Sequence, residues 1–230
     1  MAASSLEPVN PGGGHMSEIR AAVIRDTGAA FFLVAALACG GGSDETGPPA
    51  GFGMLSGQRV LVLPVQYVAR AAGGWIGGAA GSEEAARQAD SEIAFALGEA
   101  GGRAYWVTAV DQVEALRRRP SIEVNPYMLS AGEARREGED LEDVRDPLYG
   151  EIRMLAALFD TRYALLPLEV DYEPGEAGAV GRVTIRTFLL DARSGAVLWY
   201  GQVGGAAGQD PTSPGTLAAA AQAFALQVSP

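Results

Sequence analysis

An uncharged apolar run ended by the only cysteine divides this chain and confines any folded domain to the residues after it. Residues 28–38 are rich in Ala, Leu and Phe, Arg20 and Arg25 precede them, and Cys39 follows. A basic start, a short apolar centre and small residues at the exit are typical of a secretory signal peptide. The run is shorter than the roughly 20 apolar residues that a membrane-spanning helix needs. We therefore expect residues 1–38 to be a signal peptide.

The residues at the cysteine resemble the lipobox of bacterial lipoproteins, with Ala36-Leu37-Ala38-Cys39 at the matching positions and the usual Leu displaced by one. The resemblance implies that Cys39 carries a lipid that anchors the mature protein to a membrane. Gly, Pro and Ser dominate the next residues, so we predict that 39–56 comprises the lipidated cysteine and a flexible linker. The alternatives are a plain secretory signal, or a buried apolar segment with an incidental cysteine.

Residues 1–15 have no role in this scheme, and a start at Met16 would give a signal of conventional length. We therefore expect Met16 to be the start, with Met1 as the alternative. The expected location is the cell envelope, at the outer membrane facing the periplasm, with the inner membrane left open.

The charge and residue composition exclude several classes of function. The formal net charge is -11, and such an acidic chain repels nucleic acid, which is not expected as a partner. Lys is absent, and the single histidine, His15, precedes the apolar run. Removal of the signal peptide and acylation of Cys39 would leave neither a histidine nor a free thiol. Ser-His-Asp, Cys-His and His-metal sites are thereby excluded, and no cofactor or metal is expected.

The pattern of apolar residues after the linker predicts one α/β domain, 57–230, with a mixed sheet of about five strands in the order βαβα-α-βββα. Pro64 predicts a bulge or a strand end, Asp111 a helix cap, and Asp191 and Gly195 a hairpin turn. The densely charged segment 132–146 is interpreted as a solvated loop or an exposed helix. The predicted strands are 59–68, 103–110, 161–171, 181–191 and 196–203, and the predicted helices are 82–100, 112–119, one opened by Pro147, and 216–228.

Three stretches of this domain resemble a known group of envelope proteins. They are Arg59–Val65, the Leu158-Phe-Asp-Thr-Arg-Tyr-Ala-Leu165 run, and Leu190-Asp191-Ala-Arg-Ser-Gly-Ala-Val-Leu-Trp199. With the element order, they resemble the periplasmic α/β domains of the TolB amino-terminal, curli-secretion (CsgG) and LpoB-like lipoprotein group. The group includes pores, regulators and accessory subunits, so the resemblance implies a fold and leaves the activity and the oligomeric state open.

The favoured hypothesis is a non-enzymatic envelope lipoprotein that binds another envelope protein as an accessory or assembly factor. Trp75 and Ile76 in a Gly-rich loop, and Tyr127 and Met128 in an ambiguous segment, are the candidate contacts. The alternative for all four is that they belong to small satellite cores.

Two other classes of function remain open from the sequence. The first is a secretion or pore subunit like CsgG. The second is an enzyme that uses the carboxylates of Glu169 and Asp171, which would share one face of a strand. The Gly-rich loop 73–81 lies between a strand and a helix, but it lacks the spacing and the lysine of phosphate-binding loops.

Overall fold

The described part of the chain forms a six-stranded mixed sheet with helices on both faces, the α/β class that the sequence predicted. The computed structural model describes residues 52–69, 82–173, 182–205 and 214–230. In chain order the elements are β1 Arg59–Val62, β2 Tyr67–Val68, α1 Ser82–Glu99, β3 Tyr105–Val107, α2 Ala109–Arg117, α3 Gly132–Glu137, α4 Leu148–Phe159, β4 Tyr163–Glu173, β5 Arg182–Asp191, β6 Val197–Gly204 and α5 Pro214–Val228.

The strands lie in the order β3-β1-β4-β5-β6, and β2 pairs with β4. The strands β3, β1, β2 and β4 run parallel to their partners, whereas β4, β5 and β6 form an antiparallel meander. Parallel strands need a crossover, and the helix α1 supplies it between β2 and β3. The carboxyl ends of β1 and β3 therefore lie at the same edge of the sheet.

Two apolar cores cover the two faces of the sheet. One packs α1 and α5 against the sheet, and the other packs α3 and α4 on the opposite face. β5 shows why both are needed: Val183, Ile185 and Leu189 face the first core, while Phe188 and Leu190 face the second. One strand thereby contributes side chains to both cores. Among the described helices, none is both long and apolar enough to cross a bilayer.

The domain begins earlier than the predicted boundary at residue 57. Phe52–Leu55 forms a 3₁₀ turn, and the side chains of Phe52 and Leu55 are fully buried. The ring of Phe52 meets that of Trp199 edge-on, with centroids 5.0 Å apart. The last residues of the predicted linker thus belong to the first core. The prediction failed here because the Gly and Pro residues around this aromatic side chain favour a linker.

Other boundaries also differ from the prediction, and two of them have a clear physical reason. The predicted strand 59–68 is two short strands, because it is interrupted around Pro64, which has no N–H to donate. The predicted helix 112–119 begins at Ala109, after Thr108. Asp111 is not the cap; it lies inside the first turn, where its carboxylate accepts hydrogen bonds from the Thr108 N–H and O–H at 2.8 and 2.9 Å.

The charged segment 132–146 is more than a solvated loop. It contains α3 and a 3₁₀ turn, Gly138–Asp140. Ala134, Leu141 and Val144 are buried in the second core, so three apolar residues anchor the segment to the domain.

The turn between β5 and β6 is built around Asp191 and Gly195. The Asp191 Oδ1 accepts the Arg193 N–H at 2.9 Å, and Oδ2 accepts the Arg162 Nε–H at 2.9 Å. Gly195 has a φ of 84°, and its N–H donates to the Asp191 carbonyl at 2.8 Å. Burial alone would raise the pKa of Asp191, but the Arg193 N–H and the Arg162 guanidinium together lower it below its usual range.

Candidate functional site

The candidate site lies where the parallel strands β1 and β3 end. The buried side chain of Gln112 on α2 closes this edge, since its Nε2 donates to the Val62 carbonyl at 2.7 Å and to the Val107 carbonyl at 3.3 Å. These carbonyls are the last in their strands, so one glutamine fixes α2 against the edge. In open α/β sheets, the crevice beyond the carboxyl ends of the strands is where ligands bind.

Residues 121–131, which we name the Tyr127 segment, cross this edge and are fastened by Gln66. The Gln66 Nε2 donates to the Pro126 carbonyl at 3.0 Å, and its Oε1 accepts the Leu129 N–H at 2.9 Å. Leu129 is buried in the second core, whereas the next residue towards the amino terminus, Met128, is 75% exposed. The segment therefore has an apolar attachment and an exposed outer side.

A groove of about 530 Å³ runs between α1, α2 and the Tyr127 segment. We name it the carboxyl-edge groove, and it is lined by Glu83, Arg87, Val110, Val113, Glu114, Arg117, Asn125 and Tyr127. Val110 is 72% exposed, so its side chain is accessible from solvent. The groove therefore combines apolar and aromatic surface with charges of both signs.

The charges in the groove are unevenly compensated. Arg87 pairs with Glu83 at 2.5 Å along α1, and Arg118 pairs with Glu114 along α2. Arg117 has no ion-pair partner within the described ranges. One guanidinium is thus left for an outside carboxylate, in a chain whose net charge is negative.

Asp90 lies on α1 beside Tyr127, where burial disfavours the ionised form of its carboxyl. Its Oδ1 accepts the Val65 N–H at 2.8 Å, while its buried Oδ2 has no hydrogen-bond partner among the described residues. Burial raises the pKa of Asp90 to about 7, although the Val65 N–H and the nearby Tyr127 hydroxyl both favour the ionised form. The carboxyl is therefore half protonated near neutral pH.

Tyr127 is held between this carboxyl and a guanidinium. The Arg87 guanidinium lies over its ring, with Cζ 5.4 Å from the centroid, a cation–π contact. Burial, followed by the charge of Asp90, raises the pKa of Tyr127 to about 12. The hydroxyl therefore remains protonated at neutral pH, beside the Asp90 carboxyl.

The carboxylates considered for catalysis have a different setting. Glu169 is almost fully buried, and its two oxygens pair with the guanidinium groups of Arg135 and Arg186. Arg135 also stacks over Tyr67, with Cζ 4.5 Å from the ring centroid. Asp171 accepts the N–H of the adjacent Tyr172 at 2.7 Å. Glu169 is therefore the shared partner of two arginines, whereas Asp171 accepts a backbone N–H.

A second groove of about 540 Å³ lies along the edge strand β3, between Arg59, Tyr105 and Phe159. Tyr105 is 66% exposed there. We favour the carboxyl-edge groove because it alone of these two grooves contains Tyr127 and adjoins the buried carboxyl of Asp90. No group of acidic, His or Cys side chains suited to a metal ion occurs among the described residues.

No family model matches this chain. No curated protein matches it either. It is similar to the LpoB C-terminal domain from Salmonella enterica, with 15% identity and a TM-score of 0.35 over 68% of this chain and 93% of that one. A PelC dodecamer from Paraburkholderia phytofirmans gives 16% identity and a TM-score of 0.35, with coverages of 75% and 84%.

A lipoprotein from Neisseria meningitidis gives 21% identity and a TM-score of 0.31, with 64% of this chain and 78% of that one covered. The LpoB-like group, which the sequence motifs resemble, is therefore represented among the structural neighbours.

The structure brings only part of the predicted contact set into one place. Tyr127 lines the carboxyl-edge groove and Met128 is exposed beside it. Trp75, Ile76 and the lipidation candidate Cys39 lie outside the described residues.

The sequence analysis missed Asp90, although one signal marked it. Along α1 the core positions include Ala86, Ile93 and Leu97, and Asp90 falls on the same helical stripe. An acidic residue within an apolar stripe indicates a buried charge.

Proposed function

We propose that this protein is a lipid-anchored component of the bacterial cell envelope that binds another envelope protein through the carboxyl-edge groove, without catalysis. Its role is that of an accessory or assembly factor at the outer membrane. The observation that carries the proposal is the groove itself, in which exposed Val110 and half-buried Tyr127 lie in one lining with Arg117, which has no ion-pair partner among the described residues.

The groove defines the chemistry of the partner. Val110 and Val113 offer an apolar wall, which favours an apolar side chain on the partner. Arg117 favours a carboxylate beside that side chain, because an arginine binds a carboxylate through two hydrogen bonds. We therefore expect the partner to present a segment in which an apolar residue is followed closely by Asp or Glu.

Site-specific photo-crosslinking in intact cells tests this proposal. A photoreactive residue replaces Val110 in one variant and Leu226 on α5 in the control, since both side chains are about 70% exposed (72% and 70%) and only Val110 lines the groove. We expect Val110 to give one defined adduct with an envelope protein and Leu226 to give none. Equal adduct patterns at the two positions would contradict the proposed interface.

Charge reversal then tests the assigned chemistry. Arg117→Glu replaces an attraction by a repulsion at a partly exposed contact, worth on the order of 1–2 kcal/mol. The adduct yield at Val110 should fall by about tenfold, and Arg at the crosslinked acidic position of the partner should restore it. An unchanged yield with Arg117→Glu would exclude the partner chemistry proposed here.

A further inference from the structure

We propose that two copies of this chain associate through the outer edge of β6, so that their sheets join across a two-fold axis as antiparallel neighbours. β6 is the last strand on its side of the sheet. It contributes no residue to the lining of the carboxyl-edge groove, so the inference goes beyond the proposed function and does not depend on it.

The outer edge of β6 leaves backbone groups without a strand partner. The Gly205 N–H donates to the Val183 carbonyl at 3.0 Å, so Gly205 faces β5. Because the direction of the backbone groups alternates along a strand, Tyr200, Gln202 and Gly204 direct their N–H and carbonyl groups away from β5. No backbone hydrogen bond from another described residue reaches these outward groups. An extended strand is the partner that satisfies such a row.

The fold protects only the start of this edge. The Val197 N–H donates to the Glu142 carbonyl at 2.8 Å, and Leu198 has no register partner in β5. From 199 to 204 the strand has no proline, no charged side chain and no further irregularity. Natural sheets block an open edge with such features. The unprotected stretch is therefore suited to pairing with another strand.

The side chains of this stretch match those of a second copy. A two-fold axis at Gly201 places Trp199 of one copy opposite Val203 of the other, and Tyr200 opposite Gln202. Trp199 and Val203 both pack against the first core and so share a face, whereas Tyr200 packs against the second. Aromatic and β-branched side chains directly opposite each other stabilise antiparallel strands. Because the stretch is uncharged, its pairing with itself brings no like charges together.

Charge complementarity at the two ends of β6 favours a second copy over another strand. The exposed residues Glu142 and Asp143 lie beside the start of β6, where Asp143 forms a bridge with Ala196. At the other end, the exposed Arg182 lies against Gly204, since a Cβ there would be 2.7 Å from the Arg182 Cδ. Antiparallel pairing brings the start of one β6 next to the end of the other. Each junction therefore places carboxylates near a guanidinium, which offsets the repulsion between chains of net charge -11.

Co-purification of two differently tagged copies is the test. Both copies are expressed as full-length chains in the same cells, which are lysed in mild detergent before one tag is captured. Gln202→Pro removes an outward N–H and places a ring at the edge, whereas Gln202→Ala keeps the N–H and is the matched control. We expect wild type and Gln202→Ala to recover the second tag equally, and Gln202→Pro to recover about tenfold less.

Charge reversal provides a second test that does not depend on the proline variant. One variant combines Glu142→Arg with Asp143→Arg, and the other is Arg182→Glu. Either variant paired with itself places like charges at both junctions, so its recovery should fall about tenfold below that of wild type. The two variants mixed place opposite charges at both junctions and should recover each other as wild type does. That recovery would also show that both variants fold.

Several results would overturn the proposal. Wild-type copies that fail to recover each other would exclude self-association. Equal recovery in Gln202→Pro and wild type would place the contact on another surface, and a mixed pair no better than either variant alone would contradict the antiparallel arrangement. Recovery of a different protein in place of the second tag, lost in Gln202→Pro, would assign the edge to a strand of that protein. None of these results depends on the crosslink at Val110, so the proposed function stands or fails separately.

Discussion

Asp90 shows how one buried side chain makes stability depend on pH. Its carboxyl is favoured in the neutral form by the fold, whereas in the unfolded chain it ionises near its ordinary pKa of 3.8. The folded state therefore holds this proton over a range in which the unfolded state has lost it. The contribution of Asp90 to the free energy of unfolding is greatest below about pH 4 and falls as the pH rises to about 7. An ion-paired carboxylate shows the reverse dependence.

The Asp90→Asn variant should gain stability relative to wild type as the pH rises. The shift from 3.8 to about 7 corresponds to up to about 4 kcal/mol, so the difference in free energy of unfolding should change by that much between pH 4 and pH 8 in favour of the variant. Denaturant unfolding at both pH values measures it. A constant difference would mean that Asp90 titrates normally in the folded protein.

Asp191 should show the opposite behaviour. Its pKa is lowered despite burial, because the Arg193 N–H and the Arg162 guanidinium favour the carboxylate. Asp191→Ala removes both contacts and should cost about 1–3 kcal/mol at pH 7. This loss should shrink below the ordinary carboxyl pKa, because protonation weakens the same contacts in wild type. Thermal unfolding at pH 7 and pH 3 checks this, with Glu99→Ala as an exposed control; an equal loss at both pH values would contradict it.

Between elements, the β5–β6 turn depends on one glycine. Gly195 has a φ of 84°, and a Cβ there would lie 2.9 Å from the Val144 carbonyl oxygen and 3.1 Å from the Tyr149 ring. Gly195→Ala should therefore cost about 1–3 kcal/mol in unfolding free energy. Gly98 provides a control at which alanine should raise the free energy of unfolding, because it is exposed on α1 and nothing lies within 4 Å of an added Cβ. Gly98→Ala should stabilise by up to about 1 kcal/mol; a similar effect of both substitutions would contradict this account.

Local patterns predicted most of the elements because their signals are local. The alternation in β5 and the turn residues after it depend only on neighbours in sequence, and the structure places strand, turn and strand accordingly. Pro147 likewise immediately precedes α4, since its fixed φ suits a helix start. The boundary at Phe52 depends on a distant residue, because its ring packs against that of Trp199. The start of α2 is a local effect: the helix begins at Ala109, and Asp111 accepts the Thr108 N–H from inside its first turn.

The candidate site was less predictable than the fold, because it depends on contacts between parts of the chain that are distant in sequence. Sequence pattern identified Tyr127 and Met128 as apolar residues without a clear place in the core. The other walls of the groove come from α1 and α2, which precede that segment in the chain and meet it through tertiary contacts. Gln66 makes this junction with hydrogen bonds to Pro126 and Leu129, contacts that no periodicity reveals.

At the scale of the whole molecule, helices pack on both faces of the sheet, and the proposed binding site lies at its edge. The carboxyl-edge groove lies there, and its walls come from three separate parts of the chain. A partner would therefore contact residues whose relative positions are set by the whole fold. Variants that loosen α1 or the Tyr127 segment should weaken binding without removing any contact residue.

A lipid anchor is predicted at Cys39, in the part of the chain before the described domain. Cys39 is the only cysteine, so any thiol-linked lipid must be attached to it. Cells that express wild type in labelled palmitate should yield labelled protein in the membrane fraction. Cys39→Ser should abolish the label. The variant, whether or not its signal peptide is removed, should no longer be attached to the membrane through a lipid.

Arg117→Glu serves as the control for this labelling, because it alters the groove and leaves the cysteine intact. It should keep the label of wild type while losing the crosslink at Val110. Persistence of the label in Cys39→Ser, or an unlabelled wild type, would contradict the lipoprotein assignment. The core of the folded domain begins at Phe52, after Cys39. Loss of the lipid should therefore leave the groove intact, and substitutions in the groove should leave lipidation intact. Loss of both in Cys39→Ser alone would indicate that binding requires the membrane, through the high local concentration that an anchor provides.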